Sequence, residues 1–249
     1  MSVREWFKEW FNSPYYHKLY FERDEKEAQQ FIQRLVDLLS PQKEARMLDV
    51  ACGRGRHSRF LASLGYDVTG IDISPDSIQY AQQFEAENLH FYQHDMRLPF
   101  RINYFNYTFN FFTSFGYFAT RREHNDSIRT MVNSLHAGGV LVLDYLNVHY
   151  VEERLVHNEI KNINDTSYEI HRWQDNKQFC KKIIIHNPTL DEAKEFTEHV
   201  AKLYLGDFIE MLSFYKMQIM DVFGDYYLNK YDLYKMPRMV IVARKGEGS

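Results

Sequence analysis

A glycine-bearing segment, Asp49-Val-Ala-Cys-Gly-Arg-Gly-Arg-His57, limits the folds available to this chain more than any other part of its sequence. An apolar run over residues 46–51 predicts a buried strand, and residues 55–64 have the spacing of a helix. Gly53 and Gly55 allow the backbone to approach a ligand where a Cβ atom would collide with it. The N–H groups at the start of the helix favour an anionic group. The segment therefore predicts a strand, a ligand-binding turn and a helix in direct succession.

The same alternation of strand and helix continues along the first 150 residues. Helical spacing is found over 24–39, 74–87 and 121–135, and apolar runs predict strands over 67–72, 89–94, 104–112 and, after a turn at 137–139, over 140–146. Strands that alternate with helices form a doubly wound, mostly parallel sheet with helices on both faces. Burial on both faces also explains the nearly continuous apolar runs. The sequence therefore predicts an α/β, Rossmann-like fold.

The periodicity changes after residue 150, which indicates an insertion. Residues 167–173 alternate with a period of two, as do parts of 181–186 and 195–204, and these predict antiparallel strands. A helix over 206–214 and strands over 217–223 and 239–244 then return to the main sheet. We therefore expect three parts: a helical leader over residues 1–40, a main domain over 41–150 and 205–245, and an antiparallel β insertion over 151–204.

Composition and charge exclude several classes of protein. The 249 residues fit one or two domains. The chain has 30 Lys and Arg residues against 34 Asp and Glu residues, and because this net charge of −4 disfavours binding to phosphates, a nucleic-acid partner is not expected. Two cysteines, Cys52 and Cys180, are too few for a disulfide framework. No uncharged apolar run reaches the roughly 18 residues of a membrane helix, and the charged N-terminus lacks a secretory apolar core. We expect a cytoplasmic protein, monomeric or homodimeric, with no membrane partner.

An acid at the end of the second predicted strand points to a nucleotide ligand. Asp72 follows Gly53 by 19 residues, and a carboxylate in this place accepts both hydroxyl hydrogens of a ribose. Folds that bind nicotinamide dinucleotides have a third glycine three residues after the second, where this chain has Ser58. The serine weakens that alternative without excluding it.

Four segments follow one another along the chain: Asp49-x-Ala-Cys-Gly-x-Gly-x-His57, Gly70-Ile-Asp-Ile-Ser74, His94-Asp-Met96 and Gly138-Gly-x-Leu-Val-Leu-Asp-Tyr145. In this order and spacing they resemble the class I S-adenosylmethionine-dependent methyltransferases, over about residues 20–150 and the terminal strands. The resemblance implies a seven-stranded sheet whose last strand is antiparallel. The insertion is similar to the lid of small-molecule N-methyltransferases, including those that act on amino sugars and glycine.

The resemblance also implies S-adenosyl-L-methionine as methyl donor and S-adenosyl-L-homocysteine as product. The glycine turn would hold the methionine portion, Asp72 the ribose, and the end of the third strand the adenine. Residues 112–114 match the segment that faces the cationic sulfonium, where aromatic rings are favourable, and the leader is similar to one that folds over the cofactor. The implied cofactor-binding residues are Tyr20, Arg23, Asp49, Ala51, Gly53, Gly55, Asp72, Ile73, Asp95, Met96 and Phe112.

The acceptor side is less defined, because ligands of open α/β sheets bind beyond the carboxyl ends of the strands and many residues lie there. Core packing of Phe115 and a solvated position of Arg172 are open alternatives to substrate contact. Tyr168, Ile170 and Arg172 share one face of the insertion, but periodicity does not decide whether that face covers the site. The catalytic candidates are Ser114, Tyr117 and Tyr145, and the candidate substrate contacts are Tyr16, Phe115, Asn147 and Arg172.

The expected reaction is an in-line displacement, in which a nitrogen or oxygen of a small-molecule acceptor attacks the methyl carbon. The protein aligns and desolvates the reactants. The alternatives are an RNA or protein methyltransferase, a non-catalytic S-adenosylmethionine-binding module and, more distantly, a nicotinamide-dependent oxidoreductase. No cluster of His, Cys and Asp has metal-ligand spacing, so no metal is expected. No motif identifies the acceptor or a general base.

Overall fold

The computed structural model describes residues 5–20 and 25–247, and its strands form two sheets. The strands are β1 Arg46–Val50, β2 Asp67–Asp72, β3 Leu89–Gln93, β4 Phe105–Asn110, β5 Leu135–Leu146, β6 Asn158–Ile163, β7 Thr166–Gln174, β8 Gln178–His186, β9 Lys194–Ala201, β10 Met217–Phe223 and β11 Arg238–Lys245. The helices are α1 Trp6–Phe11, α2 Pro14–Leu19, α3 Glu25–Leu39, α4 Arg56–Ser63, α5 Pro75–Ala81, α6 Arg121–Ser134, α7 Val148–Glu153 and α8 Leu205–Phe214. No helix in the described ranges is long and apolar enough to cross a membrane.

The main sheet has the strand order β10-β11-β5-β4-β1-β2-β3. The strands from β5 to β3 pair in parallel, whereas β11 is antiparallel to both β5 and β10. Apolar side chains of α3, α4 and α5 are buried against one face of the sheet, and those of α6 and α8 against the other. The expected doubly wound sheet with an antiparallel last strand is therefore confirmed.

The strand order places the functional edge of the sheet. β1 lies between β2 and β4. From β1 the chain continues through β2 and β3 to one edge of the sheet, and then returns to β4 and continues towards the other edge. Ligands of open α/β sheets bind in the crevice at such a switch point, beyond the carboxyl ends of the strands. The glycine turn follows β1 and therefore lies at this crevice.

Two elements differ from their sequence predictions. β5 already begins at Leu135, and the turn expected at 137–139 is an irregularity within the strand, where Gly138 has a φ of +75°. A bulge of this kind keeps the strand paired while it bends. α5 ends at Ala81 and a 3₁₀ turn over Gln82–Phe84 follows it, so helical structure stops at Phe84 rather than at residue 87. The chain then turns back into β3, where Ala86 and Leu89 exchange backbone hydrogen bonds.

The small sheet has the order β6-β7-β8-β9, and each neighbouring pair is antiparallel. The sequence did not predict β6, a mostly exposed edge strand without regular alternation. The face that carries Tyr168 and Ile170 is the inner one. It packs against α1 and α2 in a cluster formed by Trp10, Leu19, Tyr168, Ile170, Ile183 and Ile185.

Candidate active site

The turn after β1 has the left-handed backbone that its glycines allow. φ is +55° at Gly53, +76° at Gly55 and +60° at Ala51. A Cβ atom at Gly55 would lie 2.5 Å from the ring of Phe91, whereas a Cβ atom at Gly53 would meet no other atom within 4 Å. Gly55 is therefore required for packing of the turn against β3, and Gly53 borders open space.

Asp72 at the end of β2 is tied to this turn. Its Oδ2 accepts the N–H of Gly53 at 2.8 Å, and its Oδ1 accepts the N–H of Ser74 at 2.8 Å. Burial raises the pKa of Asp72 in spite of these hydrogen bonds. The carboxyl group thus lies between the turns that follow β1 and β2, where the sequence predicts a ribose-binding acid.

Asp49 lies behind the turn. It is 1% exposed, and the hydroxyl of Ser58 donates a hydrogen bond to its Oδ2 at 2.6 Å. Burial raises the pKa of Asp49 to about 7, and the Ser58 hydroxyl offsets part of that rise. Ser58, which stands where dinucleotide-binding folds have their third glycine, therefore holds a buried carboxyl group.

A cavity of about 660 Å³ opens in front of the two turns. It is lined by the strand ends, the turn after β1, and side chains of α1 and α2 such as Phe7 and His17. Asp49 and Gly55 are not part of the lining, and Arg23 lies outside the described residues. The expected cofactor-binding residues that do line this first cavity are Tyr20, Ala51, Gly53, Asp72, Ile73, Asp95, Met96 and Phe112.

A second cavity, of about 710 Å³, adjoins the first. Its walls include Glu27 of α3, Glu198 and Val200 of β9, and residues 225–227 and 237–238 near the start of β11. Both cavities share five lining residues, and all five are aromatic. This aromatic collar consists of Phe11, Tyr16, Tyr20, Phe112 and Tyr117.

The segment after β4 reaches the collar in a strained conformation. Phe112 and Thr113 both have a φ of +57°, which costs energy for residues with a side chain. The Thr113 hydroxyl accepts a hydrogen bond from Arg238 at 2.9 Å, and Arg238 also donates two hydrogen bonds to Asp144. The ion pair between Arg238 and the buried Asp144 thus supports this segment.

Tyr145 is not where the sequence predicts a catalytic group. It is fully buried beneath Gly116, and its hydroxyl donates a hydrogen bond to the backbone oxygen of Ala201. Burial raises the pKa of this hydroxyl, and Tyr145 lines neither cavity. The remaining catalytic candidates, Ser114 and Tyr117, do line the first cavity.

Three of the expected substrate contacts also lie elsewhere, since neither cavity includes Phe115, Asn147 or Arg172. Phe115 is a core residue packed against the rings of His124 and Phe208. Asn147 donates hydrogen bonds to three backbone oxygens between residues 232 and 236. Arg172 forms an ion pair with Glu159 of β6 at 2.6 Å. These side chains are already used in holding the fold, and Tyr16 alone of the four lines a cavity.

Arg97 joins the end of β3 to the start of α1. It donates hydrogen bonds to Asp95 and Glu123, and it forms an ion pair with Glu5. Burial alone would raise the pKa of Asp95, but the hydrogen bonds from Arg97 outweigh it and lower the pKa. Asp95 therefore carries a negative charge at the edge of the first cavity.

Sequence reasoning missed the arginine side chains of the turn and of α4. Arg54, Arg56 and Arg59 line the first cavity, and so does His57, whose ring stacks on Phe112 with centroids 5.0 Å apart. The run of arginines is visible in the sequence. Helical spacing alone does not show which of them face a ligand, because that depends on where α4 sits on the sheet.

The remaining candidates for special chemistry are a metal-binding cluster and the thiol of Cys52. Within the described ranges, no three His, Cys, Asp or Glu side chains come together as a possible metal site. Cys52 is buried, and burial raises the pKa of its thiol well above the usual value. A protonated, buried thiol is a packing residue rather than a nucleophile.

Comparisons with known sequences find relatives of part of this chain. YqeM of Bacillus subtilis (strain 168) is 34% identical over 115 residues, 44% of this chain and 45% of that protein. A dTDP-3-amino-3,4,6-trideoxy-alpha-D-glucopyranose N,N-dimethyltransferase of Streptomyces venezuelae is 31% identical over 99 residues, which cover 39% of this chain and 41% of that protein. A tRNA U34 carboxymethyltransferase of Cellvibrio japonicus (strain Ueda107) is 31% identical over 154 residues, which cover 58% of this chain and 46% of that protein. The chain thus spans about half the length of the curated relatives it matches.

Solved structures share the fold over almost the whole chain. An S-adenosylmethionine-dependent methyltransferase from Clostridium acetobutylicum ATCC 824 has a TM-score of 0.78 at 18% identity, covering 93% of this chain and 96% of that one. A SAM-bound amino pentose methyltransferase from Micromonospora echinaspora has a TM-score of 0.67 at 19% identity, covering 94% and 97%. The profile of the protein family described as "Methyltransferase domain" matches residues 41–200. The chain therefore belongs to the methyltransferase-domain family, with the class I fold of the S-adenosylmethionine-dependent enzymes.

Proposed function

We propose that this protein transfers a methyl group from S-adenosylmethionine to the nitrogen of a small amine. One observation carries the proposal: a cavity at the switch point of the sheet and a neighbouring second cavity share five lining residues, all of them aromatic. Both volumes are in the range typical of small-molecule sites. The arrangement suits a donor in the first cavity, an acceptor in the second and transfer between them.

The residues of the first cavity match the chemistry of S-adenosylmethionine. Gly53 lines the cavity with open space around its Cα, and the arginines that line it suit the carboxylate of a methionine portion. Asp72 is placed to accept ribose hydroxyl groups. Asp95 and Met96 line the cavity at the end of β3, where an adenine amino group finds a carboxylate and an apolar surface.

The collar explains how the reactive group is held. S-adenosylmethionine supplies a methyl group activated by a positively charged sulfur. Aromatic faces attract such a cation by about 0.5–2 kcal/mol each, depending on how well water is excluded. The collar holds the methyl donor at the junction, and its rings keep water from the path between donor and acceptor.

The charges of the second cavity favour an amine over an anionic or neutral acceptor. Its lining includes the carboxylates of Glu27, Glu198 and Asp225. The guanidinium of Arg238 is also present, but it is already paired with the buried Asp144. Carboxylates and aromatic rings together suit a protonated amine that binds before it loses its proton. The amino-sugar methyltransferases among the similar proteins fit this acceptor class.

RNA is a second candidate acceptor, because several of the similar proteins are named for their action on tRNA or rRNA. A phosphate backbone requires a surface rich in Lys and Arg. The acidic lining of the second cavity and the net charge of −4 oppose that requirement. These charges therefore favour a small amine over RNA.

Calorimetry followed by a turnover assay tests the proposal. We expect the protein to bind S-adenosylmethionine and S-adenosylhomocysteine but not NAD. We then expect it to release S-adenosylhomocysteine when given glucosamine, glycine or benzylamine, and not with glucose, glycolate, benzyl alcohol or total tRNA. Turnover with hydroxyl compounds or tRNA alone would overturn the acceptor class. Tight binding without turnover of any compound would identify a non-catalytic module.

A further inference from the structure

We infer that Glu198 on β9 is the group that accepts the proton of the amine in the second cavity. The inference rests on the proposed function, because it assigns the base for the same reaction. It concerns a residue of the small sheet, far in sequence from the glycine turn.

Glu198 is held in a fixed orientation by a residue of α1 and by the residue that follows α2. Its Oε1 accepts a hydrogen bond from the indole N–H of Trp10 at 2.7 Å and another from the hydroxyl of Tyr20 at 2.9 Å. Two donors on one carboxylate oxygen restrict rotation of the side chain. The second oxygen, Oε2, lies 3.4 Å from the ammonium of Lys181, which is longer than a strong hydrogen bond. The carboxylate is therefore positioned in advance and retains an oxygen that can accept a proton.

The contact with Tyr20 places Glu198 close to the reaction. Tyr20 belongs to the aromatic collar and lines both cavities. Its hydroxyl is one hydrogen bond from Glu198, so the carboxylate lies within a side chain's reach of the junction. Glu198 and Val200 alternate along β9 on the face that lines the second cavity. A carboxylate at this point can contact the nitrogen that attacks the methyl carbon.

The proton balance assigns a single step to Glu198. An ammonium acceptor has no lone pair, so it must lose a proton before it can attack. Glu198 accepts that proton on Oε2, and the nitrogen lone pair then forms the N–C bond while the C–S bond breaks and its electron pair stays on sulfur. The side chain of Glu198 is 14% exposed, so its proton can pass to water and return the carboxylate to its starting state.

The conservative variant Glu198→Gln keeps an oxygen for Trp10 and Tyr20 but removes the base. With the amine that turns over fastest among glucosamine, glycine and benzylamine, we expect kcat/KM at pH 7 to fall about 100-fold or more. The affinity for S-adenosylhomocysteine should stay within about threefold of the wild type. The deficit should shrink as the pH rises towards the pKa of the amine, because neutral amine then arrives from solution.

Glu195→Gln provides a matched control on the same strand. Glu195 pairs with Lys182 at 2.9 Å, is 54% exposed and lines neither cavity. This variant should retain the wild-type rate. Glu198→Asp, which keeps a carboxylate but withdraws it, should have an intermediate rate with the wild-type pH profile.

The outcomes separate this inference from the proposed function. Amine turnover that is unchanged in Glu198→Gln, or a deficit of the same size at every pH, would show that Glu198 only supports the fold, while the proposed function stands. If no amine is turned over by the wild type, the proposed function itself fails, and the base assigned for it fails as well.

Discussion

The carboxylate of Asp144 accepts the backbone N–H of Phe112 at 2.7 Å. A side chain in β5 therefore fixes the backbone just beyond β4, in the segment where two consecutive residues are left-handed. The same carboxylate accepts hydrogen bonds from Arg238 and from the hydroxyl of Tyr226 at 3.1 Å. One buried acid thus connects two strand ends and a loop beside the aromatic collar.

Replacing Asp144 with Asn should destabilise the protein strongly. Asp144 is fully buried but Arg238 is 17% exposed, so losing the carboxylate leaves a charge that water partly reaches, which costs up to about 3 kcal/mol, the lower end for a buried pair. We expect a loss of this size in the free energy of unfolding, measured by urea denaturation. The double variant Asp144→Asn/Arg238→Met should lose less than the sum of the two single variants, and strict additivity would show that the two residues act independently.

Replacing Asp72 with Asn should weaken cofactor binding. Hydrogen bonds to a charged group contribute about 1.5–3 kcal/mol, so we expect the affinity for S-adenosylhomocysteine to fall roughly 10- to 100-fold by calorimetry. Asp67→Asn is the control, because Asp67 begins the same strand and lies at its opposite end. Equal losses in both variants would contradict a specific role of Asp72.

The two glycines of the turn should respond differently to alanine. Both have left-handed backbones, which costs about 1–2 kcal/mol for alanine. Gly55→Ala should lose about 1–3 kcal/mol more in thermal or urea unfolding, because its Cβ atom meets Phe91. Gly53→Ala should fold well but bind S-adenosylhomocysteine more weakly, because its Cβ atom enters the cavity. A Gly53→Ala variant with normal affinity would place the ligand elsewhere.

The buried Asp49 should make stability fall with rising pH. An ordinary aspartate, as in the unfolded chain, has a pKa of 3.8, and the pKa of Asp49 in the folded protein is about 7. Between these two pH values the folded state therefore binds more protons than the unfolded state. The free energy of unfolding contributed by this group therefore decreases from about pH 4 to about pH 7 and is constant above that. Asp49→Asn removes this contribution.

Urea unfolding at about pH 4.5 and about pH 8 provides the measurement. The stability of Asp49→Asn relative to the wild type should be higher at the upper pH. Ser58→Ala removes the hydroxyl that favours the charged form, so the decline should continue to higher pH in that variant. A relative stability that is the same at both pH values would contradict the raised pKa.

Replacing Phe112 with Leu should reduce the preference for a cationic ligand. S-adenosylmethionine carries a positive sulfur and S-adenosylhomocysteine does not, so only the first gains from an aromatic face. We expect the affinity for S-adenosylmethionine to fall roughly 2- to 30-fold more than that for S-adenosylhomocysteine, as measured by calorimetry. Equal changes for both ligands would indicate that Phe112 does not face the sulfur.

The main sheet was predictable because each strand carries a local signal. The apolar run at 67–72 coincides with β2, and the run at 217–223 coincides with β10. β6 was missed because an exposed edge strand does not need alternating apolar residues. The early end of α5 depends on the turn into β3, which the spacing of apolar residues in the helix does not show.

The first cavity was more predictable than the second for a related reason. Gly53 and Asp72 belong to turns that directly follow buried strands, so sequence order fixes their place. Phe115 and Asn147 also follow strands, but packing against α8 and the segment before β11 directs them away from the cavities. Glu198 has no local signal, because its role depends on Trp10 and Tyr20, which are far away in the sequence.

The hydrogen bonds of Trp10 and Tyr20 to Glu198 span 188 and 178 residues of chain. During synthesis, both aromatic residues leave the ribosome long before their partner is translated. A nascent chain that ends after β5 already contains the glycine turn, but its first two helices still lack their carboxylate anchor. Contacts of such long range form late in folding. Tight retention of the methyl donor should therefore begin only once β9 has been made.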